Sequence, residues 1–217
     1  RPQPLGAPLL CHPSAIEPVL PPVPLRDLRP TQITVGLREM QRKARAWRER
    51  RRNEDGAWLG QHMIPCVEGP GGHWWLIDHH HLALALLEEG GEDVLVSVVA
   101  RLSHLPKRRF FTVMDCHNWL HLYDAEGKRR DLDDLPRHLH KMIDDPFRSL
   151  AGEVRRAGGY AKSSTPYSEF LWADFLRERL RRRQAESGSP KILAQAVDLA
   201  RSSEAAYLPG FSGPDQD

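Results

Sequence analysis

Cysteine is scarce in this sequence: Cys11, Cys66 and Cys116 are the only three in 217 residues, and no two form a CxxC pair. An odd, scattered set supports neither a disulfide framework nor a cysteine zinc site, and it leaves the redox compartment open. Long apolar runs are lacking too, so no segment reaches the roughly 20 residues that a membrane-crossing helix needs. Neither sign of charge dominates. The 31 lysines and arginines stand against 29 acidic residues, and a net charge of +2 does not by itself demand a polyanionic partner. GxxxxGK[ST], GxSxG and GxGxxG are all absent, which removes support for the common nucleotide folds and for a serine-hydrolase elbow. No internal repeat is found. The sequence opens on Arg1 rather than methionine, so a cytoplasmic protein and one exported after loss of an upstream segment are both open.

What is present suits one globular domain: 40% hydrophobic and 28% charged residues, too short a chain for two full-sized cores. Residues 1–22 are proline-rich without periodicity and read as an extended surface arm. Residues 23–134 read as the core, 135–206 as a helical C-terminal extension of the same domain, and 207–217 as a flexible tail. Residues 25–28 alternate as a short strand does, with a turn at 29–32. Leu37, Met40, Ala44 and Trp47 then recur at helical spacing across a strongly basic helix, residues 36–52. Strands at 62–67 and 73–77 flank Gly69-Pro70-Gly71-Gly72 and make a hairpin. A helix at 79–89 ends at Gly90-Gly91, followed by a valine-rich strand at 93–102. Beyond Pro106 the pattern predicts helices at 107–117, 135–143, 146–157, 168–183 and 190–203, with a loop at 160–166.

The most chemically loaded stretch is Asp78-His79-His80-His81, where a strand gives way to a helix. Asp78 can cap the helix by accepting from its freed N–H groups. The positive end of the helix dipole disfavours imidazolium and keeps the histidines neutral, able to donate, accept or ligate. Three consecutive helical residues point about 100° apart, so at least one histidine packs inward. The same N-terminus suits an anion such as phosphate. Capping with packing, and a functional turn, are both open. His117 and His121 have the i, i+4 spacing of two zinc ligands on a helix, near Asp115, Cys116, His138 and His140, but Asn118 stands where a zinc protease carries its glutamate. The basic helix reads as a solvated face or as a contact for nucleic acid or phosphate. Lys162, Glu169, Trp172 and Asp174 fall in a polar loop and the start of the next helix, where they either close a site or serve as loop, cap and core.

Several separate motifs together resemble one family. Arg29-Pro30-Thr31-Gln32, Gly36-Leu37-Arg38-Glu39 with Lys43, and Leu76-Ile77-Asp78-His79-His80-His81 look like the putative ParB-like nuclease family, a distant branch of the ParB/sulfiredoxin superfamily. The stretch Asp145-Pro146-Phe147-Arg148-Ser149-Leu150-Ala151, Arg155 with Gly158-Gly159-Tyr160 and Lys162, and Glu169-Phe170 with Trp172-Ala173-Asp174-Phe175 and Arg177 agree with it. The resemblance implies an α/β (α+β) fold, a small mixed sheet packed on helices, with a nucleotide or phosphate held at the Asp78 turn. It implies a phosphate-handling enzyme, either nuclease/phosphodiesterase or nucleotide-dependent phosphotransferase. The alternative is a non-catalytic nucleotide- or polyanion-binding module of the same fold. On this reading Asp78 is base or metal ligand, His80 and His81 contact phosphate or move protons, and Glu39 is a second carboxylate. Thr31, Gln32, Arg38, Lys43, His79 and Lys162 bind phosphate or nucleotide, while Glu169, Trp172 and Asp174 complete the cleft. Mg²⁺ or another divalent cation, with ATP or CTP, is the expected cofactor set, and nucleic acid is an admissible partner. Two departures stand out. His79 replaces a glycine of the wider superfamily, and Leu82 falls where a phosphate-binding arginine would be. The turn lacks the cysteine that sulfiredoxin chemistry requires, and no helix-turn-helix is evident in residues 135–203.

Overall fold

The computed structural model describes residues 17–51 and 63–213. Its centre is a five-stranded mixed sheet. β1 (Glu17–Pro24) pairs antiparallel with β6 (Asp93–Arg101), β6 parallel with β4 (Ile64–Gly69), β4 antiparallel with β5 (His73–Leu76), and β5 parallel with β2 (Leu28–Pro30). The predicted hairpin is therefore β4–β5, turned through Gly71 and Gly72, whose φ values of 74° and 73° suit glycine. A second, two-stranded parallel ladder joins β3 (Thr34–Val35) to β7 (Ile143–Asp144).

Side-chain alternation places two cores on the two faces of the sheet. Ile64, Cys66, Leu76, Val94 and Val96 face one core, covered by α1 (Leu37–Arg51) and α2 (His80–Glu88). Val67, Trp75 and Ala100 face the other, covered by α3 (Lys107–Cys116) through Phe110, Phe111 and Met114. The register shift between Cys66 and Val67, opposite Val98 and Ala100, is what moves Ala100 to the opposite face from Val96. A third core is wholly helical. It joins α4 (Pro146–Arg156), α5 (Ser168–Arg179), α6 (Arg182–Ser187) and α7 (Pro190–Arg201) around Phe147, Trp172, Phe175 and Leu176.

Several local expectations are corrected. Residues 17–22 of the proline-rich arm belong to β1, an edge strand, where prolines are tolerated; residues 1–16 lie outside the described residues. Leu25–Asp27 is a 3₁₀ turn, and the strand begins three residues later than the alternation suggested. The helix expected at 135–143 is a 3₁₀ turn, Leu139–Lys141, followed by β7, because Ile33 and Val35 offer carbonyls to the Ile143 and Asp145 N–H groups. The helix expected at 168–183 breaks at Leu180, which turns extended so that its side chain stays in the third core. The described part of the tail packs on the helical core rather than hanging free: Leu208 is buried, and Ala161 N–H donates to Gly210 O.

Candidate functional site

The Asp78 turn is built differently from a simple aspartate cap. His79, with φ 64° and ψ 24°, is the N-cap of α2, and its carbonyl accepts the N–H of Ala83. Asp78 is exposed, and its Oδ1 accepts the N–H of His79 at 2.6 Å, before the helix begins. The left-handed His79 lets β5 turn into α2 within two residues. This is a conformation that glycine adopts at lower cost, and the superfamily turn places glycine there.

The next two imidazoles point back under the chain that links β2 to α1. Nε2 of His80 accepts the N–H of Thr31 at 3.2 Å, while the Thr31 hydroxyl donates to Leu76 O. Nε2 of His81 accepts the N–H of Gly36 at 3.1 Å. Both rings are thereby neutral and carry their proton on Nδ1. Burial depresses the pKa of His80 to about 3, against the small opposing charge of Asp78. His81 is pushed well below its ordinary value, first by burial and then by the charges of Arg148 and Lys43.

Those two cations mark the side of the turn on which charged and aromatic groups gather. Arg148, on the first turn of α4, is 5% exposed, and its Nε and Nη1 have no hydrogen-bond partner. Its guanidinium carbon stands 3.6 Å from the centre of the Phe170 ring, and its Nη1 lies 3.8 Å from Glu169 Oε2. His121 lies tilted against the same Phe170 ring, ring centres 3.6 Å apart, and beside the Tyr167 ring at 4.7 Å between centres. Its pKa is lowered to about 3 by burial, then by the charges of Arg148 and His80. Lys43 on α1 is half-buried, and its pKa is lowered by loss of hydration, with Glu39, Glu169 and Asp78 acting against that. Tyr167 caps α5 in a left-handed conformation, φ 57°, and its phenol is raised by burial and then by the charges of Asp115 and Asp78. Arg148, Lys43, His121 and Tyr167 thus lie within electrostatic reach of the Asp78–His81 turn, with Phe170 and Glu169 beside Arg148.

Other predicted residues are engaged elsewhere. Glu39 is buried and bound by Arg42 at 2.7 Å and Arg156 at 2.5 Å; burial favours its protonated form, but the arginines win and hold it ionised. Arg38 pairs with Glu153 at 2.9 Å and donates to Ala185 O, tying α1 to α4 and α6. Gln32 donates to Thr34 O. Lys162 is exposed on the loop before α5. Glu169, beside Arg148, also pairs with Arg155 at 2.5 Å. Asp174 pairs with Arg177, which also holds Asp145. Trp172 lines no cleft: it is 0% exposed, stacks on Tyr160 at 4.1 Å and donates to Pro209 O. His117 and His121 are not one helical turn apart, because α3 ends at Cys116 and Asn118 turns left-handed, so the zinc pair is not formed.

Arg148, Tyr167 and Phe170 carry no assigned site role from sequence, and His121 is weighed there only as a zinc ligand beside His117. One signal was available: an arginine inside the apolar-patterned stretch Pro146-Phe147-Arg148-Ser149-Leu150-Ala151 must be buried if that helix packs.

As for a divalent cation, His80 and His81 spend Nε2 on backbone N–H groups, and Asp78 is the turn's one carboxylate. No group of three or more His, Cys, Asp or Glu that could hold a metal occurs among the described residues. The donors that the described residues bring to the turn do not suit a divalent cation held by protein groups alone. Among the described residues, no helix is long and apolar enough to cross a membrane, and Cys66 and Cys116 are free thiols.

The mixed sheet, its helical cover and the matching sequence define the class: the chain belongs to the putative ParB-like nuclease family, which it matches over residues 22–178. It is similar to a solved structure, protein Atu1540 from Agrobacterium tumefaciens, with 49% identity and a TM-score of 0.84, covering 92% of this chain and all of that one. Comparison with curated proteins finds no match.

Proposed function

We propose that this chain handles a phosphate-bearing substrate, by phosphodiester hydrolysis or nucleotide-dependent phosphotransfer, in the pocket where Arg148 and Lys43 meet the Asp78 turn. The observation that carries the reading is Arg148: a buried guanidinium with two nitrogens lacking hydrogen-bond partners and an aromatic ring beneath it. Loss of hydration lowers its pKa, ahead of the opposing charges of Glu169 and Asp145, so the cation is held at a cost that an incoming phosphate would offset. Arg148 thereby supplies the positive charge that Leu82 cannot. Lys43 adds a second cation, and exposed Asp78 is the candidate base. Left-handed His79 and Tyr167 add backbone strain on two sides of the pocket, a pattern found at functional sites. His80 and His81 position the turn rather than touch phosphate through Nε2.

One observation favours a second reading. With both histidines bonded to backbone N–H groups, the turn is well built for binding without turnover. Thermal-shift and calorimetric titrations with inorganic phosphate, ATP, CTP and oligonucleotides, with and without Mg²⁺, test both, because a specific ligand raises stability by mass action. Phosphate-dependent stabilisation lost in Arg148→Met supports the pocket, and turnover lost in Asp78→Asn with binding kept supports catalysis. Inorganic-phosphate binding equal in wild type and Arg148→Met overturns the assignment.

A further inference from the structure

Away from that pocket, and sharing none of its residues, the edge of the sheet at β2 opens into a cleft of about 630 Å³ between the end of β1, the β4–β5 turn and the segment before Leu139. Its volume falls within the range of small-ligand sites. Arg26, Arg29 and Arg137 line it against one carboxylate, Asp27, so the walls carry excess positive charge. Arg26 and Arg137 are exposed, and neither has an ion-pair partner among the described residues. Arg29 donates to Nε2 of His73 at 2.8 Å and lies 5.4 Å from the centre of the Trp75 ring. Its pKa is lowered by burial and then by the charge of Arg137, so two cations are held close together. Beside them, half-buried Trp74 and the prolines of β1 give the same cleft an apolar wall.

Guanidinium groups next to a flat indole and proline surface match a ligand that joins an anionic group to an aromatic ring. We propose that this cleft binds a nucleoside phosphate, free or as one unit of a single strand, with the phosphate at the arginines and the base against Trp74. An acidic peptide would satisfy the arginines but would leave the apolar wall unused.

The test is fluorescence anisotropy of a short fluorescein-labelled oligothymidylate on the full chain, with thymidine monophosphate and polyglutamate as competitors. Wild type should bind, and the Arg26→Ala/Arg137→Ala double variant should bind at least about tenfold more weakly, with the salt dependence shallower by about one unit per arginine removed. Both side chains are exposed, so circular dichroism and Tm should match wild type. Arg148→Met, in the other pocket, should retain the affinity, which separates failure here from failure of the phosphate-handling reading. Displacement by thymidine monophosphate assigns the cleft to free nucleotides, and its absence, with the arginine dependence kept, assigns it to strands. The proposal is overturned by absent binding at low salt, by unchanged affinity in the double variant, by loss of affinity in Arg148→Met, or by displacement with polyglutamate but not with the nucleotide.

Discussion

The N–H of Thr31 donates to Nε2 of His80 at 3.2 Å, across 49 positions of sequence, and this bond exists only while the ring is neutral. Protonation would set a donor against a donor in a buried site. Burial lowers the pKa of folded His80 to about 3, against an ordinary 6.5 when unfolded. Between those values the unfolded chain binds the extra proton, so stability is fully present above pH 6.5 and is lost as pH falls towards 3. Lowering the pH from 7.5 to 5 should cost up to about 2 kcal/mol through this ring alone. His81 and His121, shifted in the same direction, add to the loss. Urea unfolding at the two pH values checks it, and His80→Gln should show the shallower dependence.

Arg148 offers a test of role against architecture. A buried arginine kept for stability would cost about 3–5 kcal/mol on removal, whereas a charge that is poorly compensated can be replaced by an apolar side chain at little cost. Glu169 keeps Arg155 in either case. Arg148→Met should therefore change stability by less than about 1 kcal/mol while abolishing phosphate binding, read by chemical denaturation and calorimetry on the same sample.

Glu39 behaves oppositely. Its carboxylate satisfies Arg42 and Arg156 where α1 meets α4. Glu39→Gln should destabilise by about 2 kcal/mol, below the fully buried case because solvent screens both partly exposed arginines. The low pKa of Glu39 also argues that it is ionised throughout the working range, so activity in the surviving folded fraction should show no titration assignable to it.

Gly36 has no room for a methyl group. A Cβ there would lie 2.6 Å from the Ser149 hydroxyl and 2.7 Å from the Ser149 backbone nitrogen. Gly36→Ala must push α4 away from the start of α1 and move the N–H that His81 holds. A loss of about 2–3 kcal/mol is expected, with the His81 ring resonances shifted in NMR spectra.

Much of this was readable from residue order alone. The β4–β5 hairpin followed from two apolar runs around Gly69-Pro70-Gly71-Gly72, and α1, α4 and α7 from helical spacing with clear stops, because those signals are local. The Asp78 turn stands out as a candidate for the same reason: one polar run interrupts an apolar pattern. Long-range pairing was not legible. Nothing near Ile143 announces that it will lie beside Thr34, and nothing near His80 names Thr31 as its partner. Arg148 was visible as a family-like residue without a role, since its burial depends on Phe170 arriving from another helix. Trp172 was placed in the cleft because an aromatic beside polar residues has no local mark that separates lining from core.

The short link from β2 to α1 is fastened on every side. Thr31 and Gly36 give their N–H groups to the two histidines, Leu37 gives its own to Asp144, and the carbonyls of Thr31, Ile33 and Val35 accept from His121, Ile143 and Asp145. These partners come from three separate parts of the chain. The link cannot loosen without releasing α2, the approach to β7 and the His121 segment together, so it acts as a latch that makes separate regions unfold as one unit. Amide protons of Thr31 and Gly36 should exchange with solvent only at the rate of global unfolding, slower than amides in the middle of longer but more exposed helices such as α7.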